Sequence, residues 1–226
     1  MSTKINIKTY IFEGQFTSAS LPAFRGAVVK ALGENNSLPF HNHLQDGLVY
    51  SYPKVQYKQI NYHPAIVAID VDTSSLDNII HNGVLTIKLR GKELRLPLIE
   101  VFRQQYELEI SDEPKFYQLS NYLPLNENNK DEYHKLLALT DKICKLEDII
   151  TGNILSLFKG LGMHIQDKIE VAITDIGRSY SARYKGVDFM AFDLSFVTNV
   201  VLPDFIGLGK SPSVGFGLLK KIAASS

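Results

Sequence analysis

The order in which strand-like and helix-like segments follow one another is the feature that most constrains the fold of this 226-residue sequence. Residues 3–11 alternate polar and apolar side chains, as a half-buried strand does, and apolar residues then recur at helical spacing from Leu21 to Leu32, before Gly33. The segments predicted next are strands over 48–60 and 63–72, a short helix over 74–80, and a strand over 84–91 that turns into 93–99. Strand, helix, strand, strand, helix, strand is the order of a ferredoxin-like domain, which RNA-recognition domains share.

The second half of the chain repeats most of this order. A strand pair is predicted within residues 106–127, and a helical region follows from Asn128 to about Leu161. Thr151-Gly152-Asn153 interrupts that region, so it predicts two helices or one kinked helix. A strand and a hairpin turned at Lys185-Gly186 come next. The sequence therefore predicts an α+β protein with two tandem ferredoxin-like domains and antiparallel sheets, residues 1–105 and residues 106–226.

Charge and composition limit the class of protein. Lys and Arg balance Asp and Glu at 24 each, so the chain has no global field that would attract a nucleic acid, and a polyanion would need a local basic patch. The single cysteine, Cys144, forms no internal disulfide and suits a reducing cytoplasm. No apolar run approaches the roughly 20 residues of a membrane span. We therefore expect a cytoplasmic protein that does not bind membranes.

A glycine-rich segment, GLGKSPSVGFG, occupies residues 207–217 near the C-terminus. Its glycines are Gly207, Gly209, Gly215 and Gly217. Glycine permits positive φ angles and a close approach of the backbone to a ligand, so consecutive N–H groups could hold a phosphate, and Lys210 adds a charge. The spacing is neither that of a P-loop nor that of a dinucleotide-binding turn. A simple turn before a last strand explains the same residues.

A second candidate for binding is the hairpin that contains GRSYSARYKG. Between Ile176 and Val187 it carries Arg178, Arg183 and Lys185, with tyrosines interleaved and no acidic residue. Cations contact phosphates and tyrosine rings stack on bases, so this pattern predicts contact with RNA. An ordinary exposed hairpin is the alternative.

The candidate catalytic groups are two histidines one residue apart, His41 and His43, followed by a tyrosine-rich strand. Two imidazoles near a phenol can move protons near neutral pH without a cofactor. His-x-His alone is a weak signal, because most such pairs are ordinary loop residues.

Three segments raise that signal: FRGAVVKAL, then FHNHLQDGLVYSYPKVQYK, then PAIVAID. In this order they resemble the N-terminal half of a CRISPR-associated endoribonuclease that cuts precursor CRISPR RNA within each repeat, of the subtype common in type I-B systems. The glycine-rich segment resembles the corresponding loop of the repeat-associated RNA-binding superfamily. The resemblance spans nearly the whole chain. It implies a metal-independent ribonuclease that leaves a 2′,3′-cyclic phosphate and a 5′-hydroxyl and so produces mature guide RNA.

The same resemblance implies roles for individual residues. The family pattern has two histidines separated by one residue and a tyrosine seven positions after the second, which are His41, His43 and Tyr50 here. His43 would be the principal general acid or base, His41 its partner, and Tyr50 would orient the scissile phosphate or stabilise its charge. Which histidine is the acid stays open. CRISPR repeat RNA is the expected partner, no cofactor is expected, and effector-complex subunits and a second copy of the chain are protein partners left open.

Two other functions are compatible with parts of the sequence. One is a non-catalytic RNA-binding subunit of a CRISPR effector complex, which would not need the histidine pair. The other is a metallohydrolase built on His41 and His43, for which Asp46 is the only carboxylate nearby.

Overall fold

The computed structural model describes residues 3–33 and 52–224. The chain divides into two compact units. The N-terminal unit holds Lys4–Tyr106 together with Ser213–Gly215, and the C-terminal unit is built mainly from Glu107–Pro212 and the segment that begins at Phe216. Each unit contains an antiparallel sheet and at least one helix, which confirms the predicted α+β class with two ferredoxin-like domains.

The N-terminal unit contains both strands and α-helices within the described residues. They are β1 (Thr3–Phe12), α1 (Leu21–Leu32), β2 (Val55–Ile60), β3 (His63–Ile69), α2 (Ser74–Ile79), β4 (Ile80–His81), β5 (Val84–Leu89) and β6 (Lys92–Leu108). Their sheet order is β2-β3-β1-β6-β5-β4. The four neighbouring strands β2-β3-β1-β6 have the ferredoxin-like arrangement, in which β6 takes the place of the fourth strand beside β1. Residues 84–91, predicted as the fourth strand, lie outside it: the turn at Arg90-Gly91, where both φ angles are positive, folds the chain back so that the next strand takes the inner place.

Helix α1 forms as its apolar spacing predicts. Its buried residues are Leu21, Phe24, Ala27, Val28 and Leu32. The Phe24 ring meets the ring of Tyr57 edge-on with 5.7 Å between centroids, which joins the helix to β2. Gly33 follows the helix with a φ of 76°, a conformation that glycine adopts without strain.

Strand β2 is more buried than its alternating pattern predicts. It is the first strand in the sheet order of the described residues, yet Gln56 and Lys58 are as fully buried as Val55 and Tyr57. Burial lowers the pKa of Lys58 to about 7. Ser213–Gly215 lies along the outer edge of this strand, where the Tyr57 N–H donates to the Ser213 carbonyl at 2.9 Å. This stretch of chain thus covers part of the outer edge of β2.

The C-terminal unit has the same fold, except that one of its helices is replaced by irregular chain. Its elements are β7 (Ile110–Tyr122), α3 (Lys130–Lys135), α4 (Leu139–Gly160), β8 (Val171–Tyr184), β9 (Val187–Val200) and β10 (Leu218–Lys221). The sheet order, β10-β7-β9-β8, is again the ferredoxin-like one. Between β9 and β10, where that fold places its second helix, residues 201–217 carry no assigned helix. The glycine-rich segment, residues 207–217, therefore lies in the part of the chain where that fold has a helix.

Helix α4 is continuous over Leu139–Gly160, so a division into two helices at Thr151-Gly152-Asn153 is wrong. The helical region breaks earlier, at residues 136–138, where Leu136 and Ala138 have extended backbone. A buried stripe crosses Gly152 without a gap: Leu146, Ile150, Ile154, Leu157 and Phe158. Burying five such side chains outweighs the roughly 1 kcal/mol that one glycine costs inside a helix.

Within the described residues, no helix is both long and apolar enough to cross a membrane.

The predicted hairpin is confirmed. Lys185 and Gly186 form its two-residue turn with φ angles of 50° and 79°, the positive values that a tight hairpin requires. The strand before the turn is longer than predicted, because residues assigned to two separate segments form the single strand β8. Register shifts mark bulges within β8, the second of them at Gly177.

Candidate nucleic-acid interface

The pairing of β8 with β9 sorts the predicted cations onto two faces of the hairpin. The relevant partners are Arg178–Asp193, Tyr180–Ala191, Arg183–Asp188 and Tyr184–Val187. Because neighbouring residues of a strand point to opposite faces, Arg178, Tyr180 and Tyr184 share one face. Arg183 lies on the other, the face from which Phe192 packs edge-on against Tyr133 of α3. The four residues were predicted together but belong to two different surfaces.

Three cations on or beside the first of these faces each lie over an aromatic ring. The Arg178 guanidinium carbon is 4.9 Å from the ring centroid of Tyr180. Lys185 Nζ is 5.5 Å from the centroid of Tyr184, and Lys210 Nζ is 4.6 Å from that of Phe189. These contacts are cation–π interactions. We call this surface the aromatic–cation face: Arg178, Tyr180, Tyr184, Lys185, Phe189 and Lys210.

The chemistry of this face suits a nucleic-acid strand. All six side chains are exposed or half-buried, so cations and rings are both within reach of a ligand. Lysine and arginine attract phosphates, and aromatic rings stack on bases of any sequence. The face therefore offers both kinds of contact that a single nucleic-acid strand can use.

Arg178 differs from the two lysines because it has a carboxylate partner. Its Nε donates to Oδ2 of Asp193, while Oδ1 of the same carboxylate accepts the Asn121 N–H at 2.6 Å. The Asn121 side-chain oxygen in turn accepts the Tyr180 hydroxyl at 3.1 Å. The adjacent carboxylate raises the pKa of Arg178 above its ordinary value. Arg178 and Tyr180 are therefore both held in place by hydrogen bonds.

Sequence reasoning missed Asp193 and Asn121, although a signal for one of them existed. The two-residue turn at Lys185-Gly186 sets the pairing, and counting back from it places Arg178 opposite Asp193. Asn121 comes from β7, and no local pattern relates it to the hairpin. Only the tertiary fold brings it to Tyr180.

The glycine-rich segment has a different character. Gly209, Gly215 and Gly217 have φ angles of 87°, 95° and 62°, which L side chains rarely adopt. The protein's own atoms fill the space that a Cβ would need: at Gly209 it would lie 2.5 Å from Tyr122 Cε2, and at Gly217 it would overlap the Leu208 carbonyl oxygen. At Gly215 it would overlap the side chain of Leu21, within the N-terminal unit. These glycines permit close packing inside the protein.

Several amides of this segment also have partners within the protein. The Gly217 N–H donates to the Asn121 carbonyl at 3.0 Å, and the Lys210 N–H donates to the Leu123 carbonyl at 3.1 Å. Gly207 is buried and bridges to Leu218. The structure thus gives the glycines a role in packing. Their predicted contact with RNA stays a prediction, while the Lys210 side chain belongs to the aromatic–cation face.

Comparison with known proteins places the whole chain in one family. A model of the Cas6b N-terminal domain matches residues 3–107, and a model of the Cas6b C-terminal domain matches residues 109–222. The chain belongs to the Cas6b family. An uncharacterised protein of Methanocaldococcus jannaschii is 33% identical over 108 residues, which is 48% of this chain and 72% of that protein.

Solved structures of Cas6b proteins share the fold. One crystal structure of Cas6b aligns with a TM-score of 0.83 at 23% identity, over 97% of this chain and 100% of that one. A second, titled as a CRISPR RNA processing endoribonuclease Cas6b, aligns with a TM-score of 0.73 at 21% identity, over 97% and 100%. These matches show that the chain has the fold of those Cas6b proteins over nearly its whole length.

The catalytic residues predicted for this Cas6b-family chain lie outside the described residues. They are His41, His43 and Tyr50, and Asp46 of the alternative metal site lies there too. The described chain stops at Gly33, directly after α1, and resumes at Tyr52, just before β2. The roles of these residues therefore stay predictions.

Proposed function

We propose that this Cas6b-family chain is a metal-independent endoribonuclease that cleaves CRISPR repeat RNA. The observation that supports RNA as its substrate is the aromatic–cation face, because it presents cations and aromatic rings together on one accessible surface. Family membership supports cleavage of that RNA within the repeat.

The RNA supplies its own nucleophile, so the enzyme needs only to align the reacting atoms and to transfer protons. The 2′-OH of the RNA is already next to phosphorus, so one imidazole need only remove its proton as the 2′-oxygen bonds to phosphorus. The bond from phosphorus to the 5′-oxygen then breaks, and the second imidazole protonates the departing oxygen. The products are a 2′,3′-cyclic phosphate and a 5′-hydroxyl. His43 and His41 fill these roles in the proposal, and Tyr50 orients the phosphate.

Binding and alignment fall to the C-terminal unit in this proposal. Lys185 and Lys210 contact phosphates, and the rings of Tyr180 and Tyr184 stack on bases. Stacking of this kind contributes about 1–3 kcal/mol per base. Arg183, on the opposite face, contributes by its charge alone.

A cleavage assay tests the proposal. The purified chain is incubated with the repeat RNA encoded beside its gene, in excess EDTA, and the ends of the products are analysed. We expect cleavage at one position with a cyclic phosphate end, and none when the ribose at that position is 2′-deoxy. Cutting of the deoxy substrate, or cutting only with added metal, would overturn the mechanism.

A histidine variant separates the nuclease from a non-catalytic RNA-binding subunit. His43→Ala is expected to abolish cleavage and leave the affinity for repeat RNA within about twofold, because an acid–base group contributes to the transition state more than to binding. Wild-type protein that binds repeat RNA tightly without cutting it would favour the effector-subunit function.

A further inference from the structure

The carboxylate of Asp193 orients the guanidinium of Arg178. Its Nε is occupied by Asp193, and neither Nη atom donates to any residue within the described chain. The Arg178 side chain is 71% exposed, whereas that of Asp193 is 18% exposed. The arginine therefore presents its two outer N–H groups to solvent, while its partner lies mostly beneath it.

Further contacts hold the base of this arrangement. Asp193 also accepts the backbone N–H of Asn121, so the carboxylate is fixed by two strands, β7 and β8. Tyr180, over which the guanidinium lies, is bonded through its hydroxyl to Asn121. An arginine held on one edge and one face has little freedom left to lose when it binds a ligand.

We propose that Arg178 reads a guanine base of the bound RNA, with Asp193 and Asn121 as positioning residues. This inference rests on the proposed binding of repeat RNA and adds a specificity determinant to it. Guanine presents two acceptors on one edge, O6 and N7, at the spacing of two arginine N–H groups. Adenine presents an amino donor where guanine has O6, so the same arginine does not pair with it in this way.

Charge explains why the ligand is a base edge and not a phosphate. The Arg178–Asp193 pair is neutral overall, so a phosphate that approaches it also meets a carboxylate. The guanine acceptors carry no net charge, so the nearby carboxylate repels them less than it repels a phosphate, and two parallel N–H groups match their spacing. Lys185 and Lys210 have no ion-pair partner among the described residues, so they keep their full charge for phosphates. The face thus separates base recognition from phosphate contact.

Atomic substitution in the RNA tests this proposal with the full chain. Repeat RNA is made with a 2′-deoxy ribose at the mapped cleavage position, so that it binds without being cut. Each guanine is then replaced in turn by 7-deazaguanine, which lacks N7, or by inosine, which lacks only the 2-amino group. At one position we expect 7-deazaguanine to weaken binding about tenfold and inosine to leave it unchanged, because only the first removes an acceptor.

Protein variants link the effect to Arg178. Arg178→Lys should abolish the sensitivity to 7-deazaguanine, because a single ammonium cannot replace the paired donors. Asp193→Asn should reduce the same sensitivity, since it releases the arginine. Arg183→Lys is the matched control on the opposite face and should retain the full tenfold effect. The thermal unfolding midpoint of each variant shows whether it has folded.

Three results would overturn the proposal. If Arg178→Lys weakens all RNAs equally and changes no response to 7-deazaguanine, Arg178 contacts phosphate. If no guanine in the repeat shows the N7 effect with wild-type protein that binds and cuts the RNA, the proposal fails while the proposed nuclease function stands. Failure of the wild-type protein to bind the repeat RNA would contradict both the guanine recognition and the proposed nuclease function.

Discussion

The glycine-rich segment and the β8–β9 hairpin both resemble RNA-binding elements in sequence, yet they differ in what surrounds them. Three glycines of the segment meet the protein's own atoms wherever a Cβ would project. At the hairpin turn, Gly186 has a comparable φ of 79°, but nothing lies within 4 Å of its Cβ position. The same backbone conformation thus serves close packing in one region and an open turn in the other.

This difference separates two tasks. The segment replaces a helix of the C-terminal unit and is held by internal hydrogen bonds, so its sequence is constrained by the fold. The hairpin carries cations and rings that are exposed or half-buried, so these side chains are accessible to the RNA in the proposed function. Substitutions should therefore affect stability in the segment and RNA affinity in the hairpin.

The largest effect is expected at Gly217. Gly217→Ala should lower the free energy of unfolding by about 3 kcal/mol or more, because the new methyl group overlaps a backbone carbonyl and the φ is strained. Denaturant unfolding measures the change. Gly186→Ala is the control with the same class of φ and open space, and it should cost only about 1 kcal/mol. Equal losses of unfolding free energy for Gly217→Ala and Gly186→Ala would contradict the conclusion that the two glycines differ in packing.

A smaller effect, on binding, is expected at Tyr184. Tyr184→Leu should weaken repeat RNA binding about tenfold, within the range of one lost base stack, while Tyr184→Phe keeps the ring and the affinity. Fluorescence anisotropy with non-cleavable RNA measures both. Tyr62, which is 75% exposed in the N-terminal unit, provides a control, and Tyr62→Leu should leave binding unchanged. A loss with Phe as large as that with Leu would mean that the hydroxyl, not the ring, contacts RNA.

Lys185 should contribute through charge alone. Lys185→Ala is expected to weaken binding of all RNA sequences by a similar few-fold factor and to reduce the salt slope by about one released ion. Titrations at several salt concentrations give this slope. Lys30, an exposed lysine of α1, is the control for net charge, and Lys30→Ala should not change it. An unchanged slope for Lys185→Ala would exclude a phosphate contact at the turn.

The smallest effect is expected at Arg183. It has the same charge as Arg178 but lies on the opposite face, so Arg183→Ala should weaken RNA binding less than Lys185→Ala does. The same titrations compare them. A loss as large as that of Lys185→Ala would show that RNA contacts both faces of the hairpin.

Much of the fold follows from local patterns, and the departures have physical causes. Apolar spacing predicted α1, and Lys185-Gly186 predicted the hairpin turn, because each depends on neighbouring residues only. The continuity of α4 depends on a buried stripe, so packing overrode the signal of Gly152. The position of β6 between β1 and β5 depends on tertiary packing, and the alternation of polar and apolar residues within each strand does not predict it.

The candidate site follows the same division. The cations and tyrosines of the hairpin were predicted from composition, and the turn fixes which of them share a face. Asn121 supports Tyr180 across a long separation in sequence, and the packing of Gly209 against Tyr122 is equally non-local. Neither has a sequence signature, because both depend on how β7 meets other parts of its unit.

Photocrosslinking tests most directly where the RNA binds. Repeat RNA that carries 4-thiouridine is bound to the full chain, irradiated and digested, and the crosslinked peptides are identified by mass spectrometry. Crosslinks at Tyr180 and Tyr184, lost when unlabelled repeat RNA competes, are the predicted result. Efficient crosslinks that leave residues 178–189 unmodified would contradict the account.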